Sequence, residues 1–245
     1  MEYGTIMKFK AIDERYLTQR RALSAKYGPR DVWSVVDHWP LYVGMSNLAR
    51  YMAISDLLRE SLHVPGHVAE FGSWRGANLL FMAKLLQIYD AFGQKTVHCF
   101  DSFEGLTTFV DQDGPARGGG YKGAYKGSLE ELEDMIELHS LGDSIEIHKG
   151  LIQDTLHPML SARPGIQFSL VYCDTDLYEP SKEILQFMDP HLSKGGMFVF
   201  DEWNYDAWPG ESLAVREFMH TRGDAYRMES VRQARQPSLV LRKVA

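Results

Sequence analysis

The stretch HVAEFGSWRGANLLFMAKLLQIYDAFG, residues 67–93, decides the fold. It opens with an apolar run, HVAEFG (67–72), passes through a glycine-flanked turn, and continues as GANLLFMAKLLQIYDAFG (76–93) with apolar residues at helical spacing. A short, nearly continuous apolar strand followed at once by a helix is half of a βαβ unit. Four similar runs follow: TVHCFD (96–101), SIEIHKG (144–150), FSLVYCD (168–174) and MFVFDE (197–202). Helical spacing returns in SLEELEDMIELHSLG (128–142) and EPSKEILQFMDPHLSKGG (179–196), and Gly93, Gly142 and Gly195 stand where helix C-caps are expected. This alternation predicts an α/β fold with a mostly parallel sheet and helices on both faces. AYRMES (225–230) and SLVLRKV (238–244) are separated by a polar turn too short for a crossover helix, so they should close the sheet as an antiparallel hairpin.

The chain has 245 residues, 44% of them apolar, and a formal net charge of −7. That suits one domain with appendages. Residues 65–245 carry the strand pattern; residues 1–64 read as a helical cap over the sheet's ligand edge or as an oligomer contact. Within them, MSNLARYMAISDLLRESL (45–62) is an amphipathic helix and DVWSVVDHWPLYVG (31–44) is aromatic and irregular. Residues 1–30 hold seven Lys/Arg against three acids, read as a solvated helical face. The acidic balance argues against a nucleic-acid partner. Cys99 and Cys173 sit inside apolar runs and read as buried thiols, not as a disulfide or zinc site. No signal peptide and no run near ~18 apolar residues is visible, so a soluble cytoplasmic protein without a membrane partner is expected. The glycine-dense DGPARGGGYKGAYKG (113–127) reads as a long mobile loop.

Open α/β sheets bind ligands at the C-terminal ends of their strands. The first such end gives Glu70-x-Gly72, then Gly76 at the helix start. Trp74 stands where a dinucleotide fingerprint has its second glycine, which disfavours close pyrophosphate approach. An acid before the turn suits a ligand carrying an ammonium group, and S-adenosylmethionine fits. Ser73, Arg75 and Asn78 join Glu70, Gly72 and Gly76 as cofactor contacts on this reading; the alternative is a plain tight turn. Asp101, 29 residues beyond Gly72, ends the second strand where an acid can accept from ribose hydroxyls, with Ser102 beside it. The fourth and fifth strands end in Asp174, Asp176, Asp201 and Glu202. Gathering carboxylates costs desolvation and repulsion unless a cation compensates, and Mg²⁺ is the natural one. Asp176 is either a base or the N-cap of the helix that follows.

VPGHVAEFGSWRGAN, FDSFEGL, KGLIQDTL, DTDLYEPSKEIL, LSKGGMFVFDEWN and WPGESLAVREF, in this order over roughly residues 41–220, together resemble the macrocin O-methyltransferase family. The resemblance implies a class I methyltransferase sheet, S-adenosylmethionine and Mg²⁺ as cofactors, and a sugar hydroxyl of a glycosylated natural product as acceptor, in antibiotic biosynthesis. It implies Asp174, Asp201 and Glu202 as metal ligands, although the family commonly carries two Asp at the latter pair. Related metal-dependent methyltransferases place a Lys three residues after the first Asp. Here that residue is Leu177, which leaves Asp174 or Asp176 as the base. Gly150, Leu151 and Gln153 would flank the adenine, and Asp174 would border the cofactor. Tyr121, Tyr125, Trp203 and Asn204 would wall the acceptor. His139 and His148 read as structural. The expected partners are a small-molecule glycoside and a second copy of the chain. Two other readings were weighed. An NAD-dependent oxidoreductase or epimerase would want a Tyr-x-x-x-Lys pair, where YKGAYKG offers Tyr121 and Tyr125. A non-catalytic assembly subunit would have no use for the acid cluster.

Overall fold

The computed structural model describes residues 31–90, 92–115 and 121–245, with positions 14, 15, 18, 19, 25, 26 and 28 before them. Most of the basic 1–30 segment and residues 116–120 of the glycine-dense stretch lie outside the described residues. The strands are β1 (His67–Phe71), β2 (Val97–Asp101), β3 (Ile145–Lys149), β4 (Phe168–Cys173), β5 (Leu192–Phe200), β6 (Tyr226–Ser230) and β7 (Leu239–Lys243). They form one sheet in the order β3-β2-β1-β4-β5-β7-β6. The first five are parallel; β7 runs antiparallel to both β5 and β6, as the short polar turn between the last two strands requires.

Alternation along each strand sorts the side chains into two cores. Phe71, Phe100, Val171, Cys173, Phe198 and Phe200 point to one face. There they pack against α5 (Ile152–Ala162), α6 (Tyr178–Met188) and α7 (Pro209–Arg222) through Leu160, Ile184, Met188 and Val215. Val68, Cys99, Leu170, Tyr172, Met197 and Val199 point the other way. They meet α2 (Met45–Ser61), α3 (Ala77–Tyr89) and α4 (Leu129–Leu138) through Leu58, Leu79, Met82 and Leu132. Helix α3 buries Leu79, Met82, Ala83 and Leu86, the spacing of one helical face. Ahead of α2, a short helix α1 (Val32–Asp37), capped by the Asp31 carboxylate accepting from Ser34 N–H, leaves Val32, Trp33 and Val36 exposed.

Three helices were not legible as such, and the first, α1, falls in the segment read as irregular. In α5, Thr155, His157 and Pro158 break the apolar period, and burial of Leu156, Met159 and Leu160 overrides their weak propensity. In α7 the start signal is present, with Pro209 at the first helical position, but its apolar stripe is sparse. The three glycines expected as C-caps do not serve. Helix α3 ends at Asp90, whose carboxylate accepts from Lys95 N–H; α4 turns left-handed at Ser140 (φ 54°); α6 ends at Asp189, ahead of a proline. Gly195 lies inside β5.

The long connection from β2 to α4 is anchored near its middle. Asp113 is buried, accepting from Val110 N–H through Oδ2 and from Tyr178 N–H, the first residue of α6, through Oδ1. A Cβ on Gly210, at the start of α7, would collide with that carboxylate. Asp113→Ala strands a buried amide at the head of α6. Urea denaturation should show a loss of about 2 kcal/mol or more; an unchanged midpoint would show that the anchor contributes nothing.

Candidate active site

The backbone ladder runs one residue past the strand ends. Gly150 N–H donates to Asp101 O (3.0 Å), Gly72 N–H to Phe100 O (3.0 Å), Asp174 N–H to Phe71 O (2.9 Å) and Asp201 N–H to Cys173 O (3.2 Å). The residues that follow β3, β1, β4 and β5 are thereby aligned with Asp101 at the C-terminal edge of the sheet. Gly72 (φ 82°) has no room for a side chain, because a Cβ would strike the Asp174 carbonyl.

A crevice opens along this row, lined by Gly72, Asp101, Ser102, Tyr125, Gly150, Leu151, Gln153, Asp174 and Asp176, with Trp74 and Leu106. Asp101 is fixed by two amides, Trp74 N–H on Oδ2 (2.8 Å) and Phe103 N–H on Oδ1 (2.6 Å). Burial pushes its carboxyl up while these bonds oppose the shift. Trp74 takes a left-handed backbone (φ 50°) and meets Tyr125 edge to face at 5.9 Å.

The remaining turn residues support this crevice without lining it. Glu70 is buried and accepts the Ser73 hydroxyl at 2.7 Å, and burial pushes its carboxyl up to about 7. Ser73 also accepts from the Cys99 thiol. Gly76 (φ 80°) caps α3, Asn78 is buried in that helix's first turn, and Arg75 turns outward to Glu131 of α4. These five, expected to touch cofactor, lie behind the crevice and are absent from its lining.

The acids divide in an unexpected way. Arg50, from α2, donates Nη2 to Asp174 Oδ2 (2.9 Å) and Nη1 to Asp201 Oδ2 (2.8 Å), while Tyr172 donates its hydroxyl to Asp201 Oδ1 (2.6 Å). Burial and the nearby Asp201 push the Asp174 carboxyl up, and Arg50 opposes them. Glu202 does not join the pair. Its Oε1 accepts from Gln236, its Oε2 lies buried 3.8 Å from Arg235, and burial pushes it up to about 8. Its own N–H is taken by Glu211, a fully buried carboxyl held well above its usual range by burial beside Glu202. Asp176 takes no part in these bonds, nor does it cap α6, whose first N–H goes to Asp113. It holds a left-handed backbone (φ 61°), a strain that costs about 1 kcal/mol in a residue with a side chain. Burial, then Asp201, pushes its carboxyl up to about 7.

Asp201, Glu202, Trp203 and Asn204 line a second cleft with Arg235 and Ser238, separate from the one that Tyr125 borders. Tyr121 is 70% exposed and lines neither. Among the described residues the one trio of ligand-type side chains that converges as a metal site would is elsewhere, His98, Glu146 and His148. Its donors are already spent: His98 Nδ1 lies 3.0 Å from His148 Nε2, and Arg163 grips both Glu146 oxygens at 2.8 Å. His148 stacks on Phe100, a structural use.

Arg50, Glu211 and Asp113 were missed from the sequence. One signal was available for the first: four acids need positive charge, and the cap expected over the ligand edge contains an arginine.

A parallel 3-2-1-4-5 sheet extended by an antiparallel pair, with a glycine cradle after β1 and an acid ending β2, defines a class I methyltransferase. Residues 8–234 match the Macrocin-O-methyltransferase (TylF) family, and the chain belongs to it. The 8-demethyl-8-(2,3-dimethoxy-alpha-L-rhamnosyl)-tetracenomycin-C 4'-O-methyltransferase of Streptomyces olivaceus is 31% identical over 150 residues, 59% of this chain and 55% of that protein. The chain thus spans about half of that relative's length. Mycinamicin III 3''-O-methyltransferase of Micromonospora griseorubida is 26% identical over 196 residues, 74% of this chain and 70% of that one. The crystal structure of the calicheamicin methyltransferase CalS11 superposes with a TM-score of 0.80 at 26% identity, covering 94% of this chain and 92% of that one.

Glu70 gives a pH test of the turn. Its folded-state value, about 7, lies above the ordinary 4.5, so stability is full below pH 4.5 and is lost as pH rises through 7. Glu70→Gln keeps the neutral shape. Relative to the parent, its unfolding free energy, followed through the melting temperature, should improve between pH 5 and pH 8 by up to the order of 3 kcal/mol. A difference that does not vary with pH would show that Glu70 is ionised in the folded chain.

Proposed function

We propose that this chain is an S-adenosylmethionine-dependent O-methyltransferase that methylates a sugar hydroxyl, one of a vicinal pair, on a glycosylated small molecule, with Mg²⁺ as its metal. The observation that carries the reading is the aligned row Gly150, Asp101, Gly72, Asp174 and Asp201 at the sheet's ligand edge. The sugar is supported by relatives whose names specify a rhamnosyl tetracenomycin and a mycinamicin as what they act on.

The crevice fits the cofactor: Gly72 clears space for close approach, the two amides aim Asp101 at a diol, and Leu106 and Leu151 offer an apolar slot for a flat ring. S-adenosylmethionine, when bound, supplies an electrophilic methyl group. For the metal, the donor chemistry fits at Asp174 and Asp201, whose Oδ2 atoms already converge on one positive group. It does not fit at Glu202, whose carboxylate is turned to Gln236 and Arg235. Mg²⁺, when bound, would polarise the acceptor hydroxyl. Asp176 is then the group that takes the hydroxyl proton, because it borders the crevice and is not tied to Arg50. Tyr125 and Trp74 form the aromatic wall beside it, and Trp203 and Asn204 the acceptor side of the second cleft.

Residues 1–64 act in this reading as the cap over the ligand edge, which the reach of Arg50 from α2 supports. The apolar side chains Val32, Trp33 and Val36, exposed on α1, support its second use as a contact between copies of the chain. No helix among the described residues is long and apolar enough to cross a membrane.

Calorimetric titration with S-adenosylmethionine should show saturable binding, lost in Asp101→Ala; no binding by the parent chain would overturn the proposal. Asp176→Asn should keep cofactor affinity and lose roughly 10²–10⁴ in turnover on a rhamnoside acceptor. Full turnover in that variant would move the base elsewhere.

A further inference from the structure

The acid pair at the ends of β4 and β5 already holds a cation. Arg50 Nη1 and Nη2 each form a hydrogen-bonded ion pair, with Asp201 at 2.8 Å and Asp174 at 2.9 Å. Both oxygens of Asp201 are spent, one on Arg50 and the other on the Tyr172 hydroxyl, and Asp201 is only 2% exposed. No approach to Asp201 Oδ2 is open while the guanidinium sits on it. Two like charges within ~4 Å in a partly buried site repel by several kcal/mol, so a divalent ion and the guanidinium cannot share these oxygens.

Arg50 lies in the less buried part of α2: Tyr51 packs on Phe81 at 4.8 Å, but the buried residues of the helix, Ala53, Ile54, Leu57 and Leu58, all come after Arg50. The single charge of Arg50 is shared between the carboxylates of Asp174 and Asp201, so this pair is under-compensated by one unit when both are ionised and attracts a doubly charged ion. Asp174 borders the cofactor crevice and Asp201 the second cleft, and the guanidinium spans the gap between them.

We propose that Arg50 is a built-in counter-cation that occupies the Asp174–Asp201 site when metal is absent and must withdraw for a divalent ion to enter. Metal loading is thereby coupled to the position of the Arg50 side chain and of the helix that carries it. The inference rests on the reading of Asp174 and Asp201 as metal ligands.

The test is direct Mg²⁺ binding, followed by calorimetry and by the rise in melting temperature on adding Mg²⁺, without acceptor or turnover. Arg50→Met should bind Mg²⁺ more tightly than the parent by roughly 5- to 150-fold, the usual span of a coupling between two ligands. It should melt lower than the parent without metal and regain more on adding it, because removing Arg50 leaves two carboxylates unpaired. Arg50→Lys, which keeps the charge but loses the two-pronged bridge, should lie between them and decides the matter should the Met variant not fold. Arg59→Met, on the same helix but beside Tyr89, should leave Mg²⁺ affinity unchanged. Unchanged or weaker binding in folded Arg50 variants, equal tightening in Arg59→Met, or no Mg²⁺ response in any chain would each overturn the exchange. Those outcomes leave the methyltransferase reading to the S-adenosylmethionine titration. Tight Mg²⁺ binding in Arg50→Met by a chain that ignores S-adenosylmethionine would uphold the exchange and sink the function.

Discussion

Everything functional in this chain depends on a backbone hydrogen-bond ladder that does not stop where the strands do. One further N–H···O=C bond at each of four strand ends lines up Gly150, Gly72, Asp174 and Asp201 with Asp101. A parallel sheet makes this possible because all five strands point the same way, so their ends share an edge. The apolar residues behind that edge fill two cores and leave no freedom to slide, since a slip of one residue would turn every strand inside out. The backbone positions of Asp101, Asp174 and Asp201 thus follow from strand register, and the turns after β1 and β2 add the amides that fix the Asp101 carboxylate.

That dependence explains what could be read in advance. Acids inside apolar runs are costly, so Asp174 beside Cys173 and Asp201 beside Phe200 stand out with no structure at hand. The strand–helix alternation and the closing hairpin follow from periodicity and connection length. What stayed hidden depends on distance across the fold. An arginine on the polar side of an amphipathic helix reads as solvated, and only the packing of α2 against β4 and β5 brings Arg50 to the two carboxylates. Glu211 and Asp113 lie in segments read for their motif and for their glycines, and nothing in either segment shows that its acid accepts from the N–H of Glu202 or of Tyr178. Glu202, expected as a third carboxylate beside Asp174 and Asp201, turns to Gln236 and Arg235 for a related reason. Adjacent residues at a strand end project in different directions, so two neighbouring acids do not face one point.

The cluster also separates roles that carboxylates of one type could share. Asp101 is immobilised by amides, Asp174 and Asp201 by a guanidinium, and Glu70 and Glu211 by burial with one hydrogen bond each, whereas Asp176 takes no part in these bonds. Environment, not residue type, gives acids of one kind different partners and different charge surroundings.

The hairpin that closes the sheet has a further effect on how this family member can change. Ser238 donates its N–H to Phe200 O and its hydroxyl to Asp201 O, and Gln236 and Arg235 lie against Glu202. The turn between β6 and β7 is therefore both a wall of the second cleft and the point where β7 begins to pair with β5. Changes in cleft shape and changes in stability are inherited together at these positions. Selection can retune the wall only through substitutions that the last strand pairing survives.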